Sequence, residues 1–231
     1  MARLRLYELS GKADRRFSPF CWRVRMALAH KGLPYEAIPV KYTDKSSIAF
    51  SNQDRVPVLV DEGVTVSDSW AIACHLEQKY QAAPALLGGD MGRHFTRFID
   101  LWATRSVFPH IVRLVLFDAL NHLDPVDADY VRSTRERQLG IDLATLEAQR
   151  GENIKPFNQS VAPLRSYIRQ HAFLGGETPS YADYTVFSLF QWARMISSFR
   201  LIEIDDPIFS WRSRMLGLFD GLAANVPHDD H

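Results

Sequence analysis

The spacing of apolar residues changes character once along this chain, near residue 81, and that change restricts the fold more than any other feature. Before it, short β-prone runs alternate with helical patterns; after it, the periods are helical throughout. Leu4, Leu6 and Leu9 lie in the run RLRLYEL. Ser18-Pro19 then opens a helix, a hydroxyl cap followed by proline at the first helical position. Trp22, Met26 and Ala29 recur at helical spacing until Gly32 supplies a stop. Tyr35 to Val40 reads as a second strand, and a strand–helix–strand unit predicts parallel pairing through a right-handed crossover. Val56 to Asp61 is a third strand that turns through Glu62-Gly63 into Val64 to Val66, a hairpin. Ser67, Asp68 and Ser69 load capping groups onto the next helix, with Ile72, Leu76 and Tyr80 on one face.

The segment QAAPALLGGD, rich in Pro, Gly and Ala, reads as a linker. Beyond it Phe95, Phe98, Ile99 and Trp102 form one face of a helix that Pro109 should kink or interrupt. Further helices are expected over 127–150 and 161–171. Ser180-Tyr181-Ala182-Asp183 resembles a capping box and starts another, whose run YTVFSLFQWARMI is apolar enough to be buried all round. A last helix is expected over 208–222, with the tail NVPHDDH frayed. The expected architecture is a small α/β domain over residues 1–82 and an all-α helical domain over 90–231.

Charge and cysteine content exclude several functions. Twenty-seven Lys+Arg balance 27 Asp+Glu, which argues against nucleic acid or an anionic membrane surface as the partner, since both require clustered cations. Two cysteines cannot build a disulfide framework or a four-thiolate metal site. The amino-terminal MARLRLYELSGK lacks a continuous apolar segment of signal-peptide length, and the apolar stretch Ile111 to Leu120 is broken by Arg113 and Asp118. A soluble cytoplasmic protein is expected. HExxH, P-loop, GxGxxG and GxSxG signatures are absent, and the eight histidines show no metal-ligand spacing, so no metal is expected.

The capping residues are also the chemically interesting ones. A helix amino terminus gathers unpaired N–H groups and a partial positive charge. Ser18 there can accept a backbone N–H and still donate its own proton outward to an anion, a thiolate in particular. Lowering a thiol from pKa about 8.5 to about 6.5 requires roughly 2.7 kcal/mol. A helix terminus supplies roughly 0.3–1 kcal/mol, up to about 2 when partly buried, and a hydroxyl bonded to a charged acceptor adds roughly 1.5–3. Together they suffice without a metal or base; the plainer role for Ser18 is a helix cap alone. Cys21 shares the same dipole but lacks the leading cysteine of a Cys-x-x-Cys pair, so it is either a buried core residue or a thiol for disulfide exchange. Cys74, mid-helix among apolar neighbours, reads as core. Pro57 interrupts a strand: either the strand is an edge, or Val56-Pro57 is cis and turns the Val56 N–H and C=O outward towards an extended peptide. Asp68 and Ser69 either double-cap their helix or bind an ammonium and a carboxylate.

In the order SPFCWRVRMAL, RVPVLVDEG, SDSWAI and PSYADYTVF, these segments resemble the cytosolic glutathione transferases: a thioredoxin-like α/β domain followed by an all-α domain. SPFCWRVRMALAHKG looks like the serine-containing active-site segment of the zeta class, and DADYVRSTRE with DRVPVLVDEG and SDSWAIA looks like the bacterial β-etherases and fungal etherase-type transferases. The resemblance covers nearly the whole chain. It implies that Ser18 is catalytic, stabilising the thiolate of glutathione, the co-substrate. It implies that Val56, before a cis Pro57, pairs with the cysteinyl unit, and that Asp68 and Ser69 hold the γ-glutamyl group, although the family often carries Glu or Gln where Asp68 stands. The glycine carboxylate needs a cation or amide; Lys45, Lys41 and Arg55 are available, and Lys45 is carried with the binding residues. Asp183 with Ser180 matches a structural capping box. Pro19 stands where zeta-like sequences have a second serine, which weakens an isomerase assignment. The implied activity is attack of the thiolate on an electrophilic carbon of a hydrophobic aromatic substrate, β-aryl ether cleavage being one form. The alternative is a non-catalytic carrier of hydrophobic or phenolic ligands. Phe108, Pro109 and Val112 are candidates for the second-substrate wall or for the core, and a homodimer is a family expectation.

Overall fold

The computed structural model describes residues 4–229. Arg3, the first residue of the expected opening run, and Asp230 and His231 of the tail lie outside them. The described chain begins with β1 (Leu4–Leu9), α1 (Pro19–His30) and β2 (Tyr35–Val40). The hairpin β3 (Val58–Asp61) and β4 (Val64–Ser67) follows, then α2 (Ser69–Lys79). The strands form one sheet in the order β2-β1-β3-β4. β1 runs parallel to β2, in register from Leu4 opposite Tyr35 to Leu9 opposite Val40, and antiparallel to β3. The parallel pairing follows from the α1 crossover, because a short turn cannot join parallel strands. Pro57 stands just ahead of β3 rather than inside it, since the strand begins at Val58 and not at Val56. The sheet therefore loses no ladder bond to the proline.

The helical part begins with α3 (Gly89–Trp102), a π-helical turn (Ala103–Val107) and α4 (Phe108–Ala119). Pro109 lies in the first turn of α4, where its missing N–H is tolerated. The chain accommodates it with the wider π turn rather than a break. α5 (Pro125–Leu139), α6 (Leu143–Ala148), α7 (Arg150–Ser160) and α8 (Ala162–Ile168) come next, followed by α9 (Tyr181–Ile196), α10 (Pro207–Leu216) and the short α11 (Leu218–Gly221).

Four further expectations are corrected. The single helix over 127–150 is divided: Gly140 at φ 68° ends α5, and Asp142 caps α6 by accepting the Thr145 N–H at 2.8 Å. The expected last helix likewise ends at Leu216, before α11. The apolar face of α3 is split, with Ile99 buried but Phe95 47% and Phe98 65% exposed. The tail does not fray at its described end. Asp229 accepts from Arg15 at 2.8 Å and pairs with His122 at 2.8 Å, and its N–H reaches the Arg194 carbonyl at 3.0 Å. The hydrogen bond from Arg15, with His122 beside it, holds the carboxyl below its ordinary value despite partial burial.

Every residue of α9 is buried, and α1 packs directly against it. Arg23 of α1 is part of that seam. Its guanidinium donates to Asp100 Oδ1 of α3 (2.7 Å), Thr104 of the π turn (3.1 Å) and Ser188 of α9 (3.3 Å). A buried cation with this many acceptors fixes the orientation of α1, and hence of its amino terminus, relative to the helical part. The segment read as a linker is also held: Glu77 accepts the Leu86 and Leu87 N–H groups at 2.9 and 3.0 Å, and Leu86 is fully buried.

Candidate active site

Ser18 caps α1, and its Oγ accepts the Cys21 N–H at 3.4 Å. The side chain is 6% exposed. The preceding loop is fastened on both sides: the Trp22 indole donates to the Arg16 carbonyl at 2.8 Å, Arg16 pairs with the buried Glu8 at 3.0 Å, and Arg15 donates to the Met195 carbonyl. Local sequence dictates the cap, while these tertiary bonds decide where it points.

It points into a cavity of about 540 Å³. The wall from the sheet side contains Leu9, Ser18, Phe20, Lys45 and Val56; the opposite wall contains Thr104, Phe108, Val112, Tyr130 and Trp192. Phe20 meets Phe108 edge-on with centroids 5.7 Å apart, and Phe108 tilts against Trp192 at 5.2 Å. These three rings make a continuous aromatic surface next to Ser18, shaped for another flat ring. Phe108 and Val112 thus belong to the wall, whereas Pro109 is absent from it.

The Val56-Pro57 peptide is cis, and Val56 lines the cavity. Lys45 also lines it, with Nζ donating to the Asp54 carbonyl at 2.8 Å and lying 5.7 Å from the Tyr130 ring centroid. Lys41 is engaged by the Gly11 carbonyl (2.7 Å) and Asp124 (2.8 Å), and Arg55 stands at the rim, 87% exposed and 3.8 Å from Asp54. Asp68 caps α2 from φ 77°, and both bonds from the Trp70 and Ala71 N–H groups fall on Oδ1. Ser69 is buried, its carbonyl accepting the Tyr181 hydroxyl at 2.7 Å. Ser18, Val56 and Lys45 therefore share one cavity, while Pro57, Asp68 and Ser69 lie outside its lining.

Cys21 is buried, and desolvation, followed by the neighbouring Glu8 carboxylate, pushes its thiol up to about 12. The helix dipole and the Ser18 hydroxyl do not overcome that burial, so disulfide exchange at Cys21 lacks its thiolate. Iodoacetamide near pH 8 should modify half-buried Cys74 first and leave Cys21 unmodified until denaturant is added. Peptide mapping reads the order, and early alkylation of Cys21 would restore the exchange role.

Pattern reading did not find Arg135, Gln138 and Leu139 of α5, or Thr104 in the π turn, all of which line the cavity. α5 is largely polar and half exposed, so no periodic signal marks the face it turns inward. Among the described residues no group of three or more His, Cys, Asp or Glu is placed to hold a metal ion, and no helix is long and apolar enough to cross a membrane.

Two family models match the chain: the glutathione S-transferase N-terminal domain over residues 13–84 and the glutathione S-transferase C-terminal domain over residues 95–201. Glutathione S-transferase 4 of Zea mays is 26% identical over 215 residues, covering 90% of this chain and 84% of that protein. Maleylacetoacetate isomerase of Pseudomonas aeruginosa is 43% identical over 77 residues, covering 30% of this chain and 36% of that protein. A further relative, glutathione S-transferase Z1 of Arabidopsis thaliana, aligns over 31% of its own length. With these last two, the match thus spans about a third of the relative. Among solved structures, a glutathione S-transferase of Ceriporiopsis subvermispora in complex with glutathione superposes with a TM-score of 0.81 at 21% identity, covering 97% of this chain and 98% of that one.

Proposed function

The chain belongs to the cytosolic glutathione transferase superfamily, and from that premise we propose that it joins glutathione to a hydrophobic aromatic electrophile. Glutathione binds along the sheet side of the cavity and runs past its lining to the start of α2. Val56 pairs with its cysteinyl unit, Asp68 and Ser69 at the start of α2 take the γ-glutamyl group, and Lys45 takes the glycine carboxylate. The thiol proton is released to solvent, and the Ser18 hydroxyl donates to the sulfur anion that remains. The electrophile stacks on Phe20, Phe108 and Trp192. Sulfur forms a bond to its carbon as the carbon–leaving-group bond breaks, and the leaving group departs with the electron pair. In a β-aryl ether that group is a phenolate. Catalysis comes from anion stabilisation and alignment.

The observation that carries this reading is the hydroxyl cap of α1 opening into a cavity whose far wall is aromatic. The test is the ultraviolet absorbance of the thiolate, titrated against pH with glutathione bound. The bound thiol should ionise about two units below free thiol, near 6.5, so turnover should rise with pH to that point and then level off. Glutathione that binds with an unshifted thiol and no turnover of aryl halides or β-aryl ethers would instead favour the carrier of phenolic ligands. A cytoplasmic homodimer completes the proposal. Met91, Phe95 and Phe98 leave an apolar face of α3 exposed, which supports a subunit contact.

A further inference from the structure

The charge around the cavity does not follow the charge of the chain. The protein is formally neutral, yet Lys41, Lys45, Arg55 and Arg135 line this one space against a single lining acid, Asp54. Two of the four are answered by the fold: Lys41 pairs with Asp124 at 2.8 Å and Arg55 lies 3.8 Å from Asp54. Lys45 stands on the sheet side, where the proposed function already assigns it to glutathione. Arg135 remains, on the helical side. It is half-buried and donates to Gln138 Oε1 at 3.2 Å, and no carboxylate lies within 4 Å of its guanidinium among the described residues.

A half-buried guanidinium at a cavity wall, with no carboxylate beside it, leaves its charge open to an anionic ligand that enters the cavity. Its planar fork matches a carboxylate in bidentate fashion, which lysine cannot do. Its field reaches the Tyr42 phenol on the facing wall, where burial outweighs it and holds that group neutral. The phenol and the Gln138 amide carry no charge of their own, and the Asp127 carboxylate that also acts on Tyr42 is engaged by the Tyr42 and Thr43 N–H groups at 3.1 and 2.9 Å. The cavity that Arg135 lines also carries the Phe108 and Trp192 rings.

We propose that Arg135 is the specificity-determining residue of the second-substrate subsite and that the electrophile is an aromatic acid, with its ring on Phe108 and Trp192 and its carboxylate on the guanidinium. This rests on the transferase reading for the reaction, but not for the anion site itself.

The test uses matched electrophiles, a chloronitrobenzoate and the corresponding chloronitrobenzamide, with glutathione. Arg135→Met should lower the acid-to-amide ratio of kcat/KM by about 10–100-fold, the loss of one charge-assisted bond. Arg135→Lys should retain part of the preference, and added salt should narrow it in the wild type but not in Arg135→Met. Arg137→Met, exposed on the same helix, should leave the ratio unchanged. A second arm measures binding of unreactive nitrobenzoate and nitrobenzamide by quenching of tryptophan fluorescence, without turnover. If neither electrophile is conjugated by any form of the protein but nitrobenzoate still binds in an Arg135-dependent way, the transferase reading falls and the anion site stands. An equal effect of Arg135→Met on acid and amide overturns the proposal. So does a rise in the KM for glutathione with the acid-to-amide ratio unchanged, which would assign the guanidinium to the tripeptide instead.

Discussion

Replacing Ser18 with alanine is expected to lower kcat/KM for glutathione by about 10–100-fold near neutral pH, because a hydroxyl bonded to a charged acceptor is worth roughly 1.5–3 kcal/mol. The loss should depend on pH with a definite sign. The hydroxyl lowers the pKa of the bound thiol, so removing it moves the rising limb of the pH profile upward, towards the range of free thiol. Above that range both proteins hold thiolate, and their rates should converge. The same substitution removes the cap that accepts the Cys21 N–H, which destabilises the helix by about 1 kcal/mol. The two roles are separated by one comparison: a cap alone lowers the melting temperature and leaves the pH limb where it was. A limb that does not move would remove Ser18 from the chemistry.

Asp183→Ala should be the most damaging substitution for stability. The carboxylate is fully buried at the start of α9. It accepts the N–H groups of Leu174 (2.7 Å), Gly175 (3.1 Å) and Ser180 (3.0 Å), the Ser180 hydroxyl (3.1 Å) and the Trp211 indole N–H (3.1 Å). Alanine would leave these donors in a dry site, each at a cost of about 1–3 kcal/mol. Even with partial relaxation, a total near 5 kcal/mol approaches the whole stability of an ordinary domain. The expected result is a fall in melting temperature of about 10–20 °C, or failure to accumulate as folded protein. Asp183→Asn keeps one acceptor oxygen and should lose less. Calorimetry of both variants checks the order, and a shift of only a degree or two for alanine would show that the bonds are replaced by water.

The same residue shows how much could be read in advance. Ser180 and Asp183 stand three apart before an apolar run, so the capping box and the buried helix after it are local facts. Ser18 and Pro19 mark the start of α1 in the same way, and Glu62-Gly63 marks the hairpin. By contrast, the split face of α3 was not legible, because a period of apolar residues records which side of a helix is greasy and not what covers it. The anchoring of Asp229 was hidden as well: its partners Arg15, His122 and Arg194 come from separate stretches of the chain. Arg135 lay in a helix whose polar pattern looks like a solvated one.

The sequence by itself determined the element order of the α/β domain, the change from α/β to all-helical structure, the caps of α1, α2 and α9, and through its motifs the superfamily. These depend on backbone groups and side chains within a turn of each other, so neighbours in the chain are enough to specify them. Only the tertiary structure decided that Ser18, Val56 and Lys45 open on one cavity, that Arg135 faces them, and that Asp68 and Ser69 stand outside its lining. A cavity wall is made where the packing of α1 against α9 and the bonds of Arg23 stop, and that boundary is set by how distant surfaces fit together.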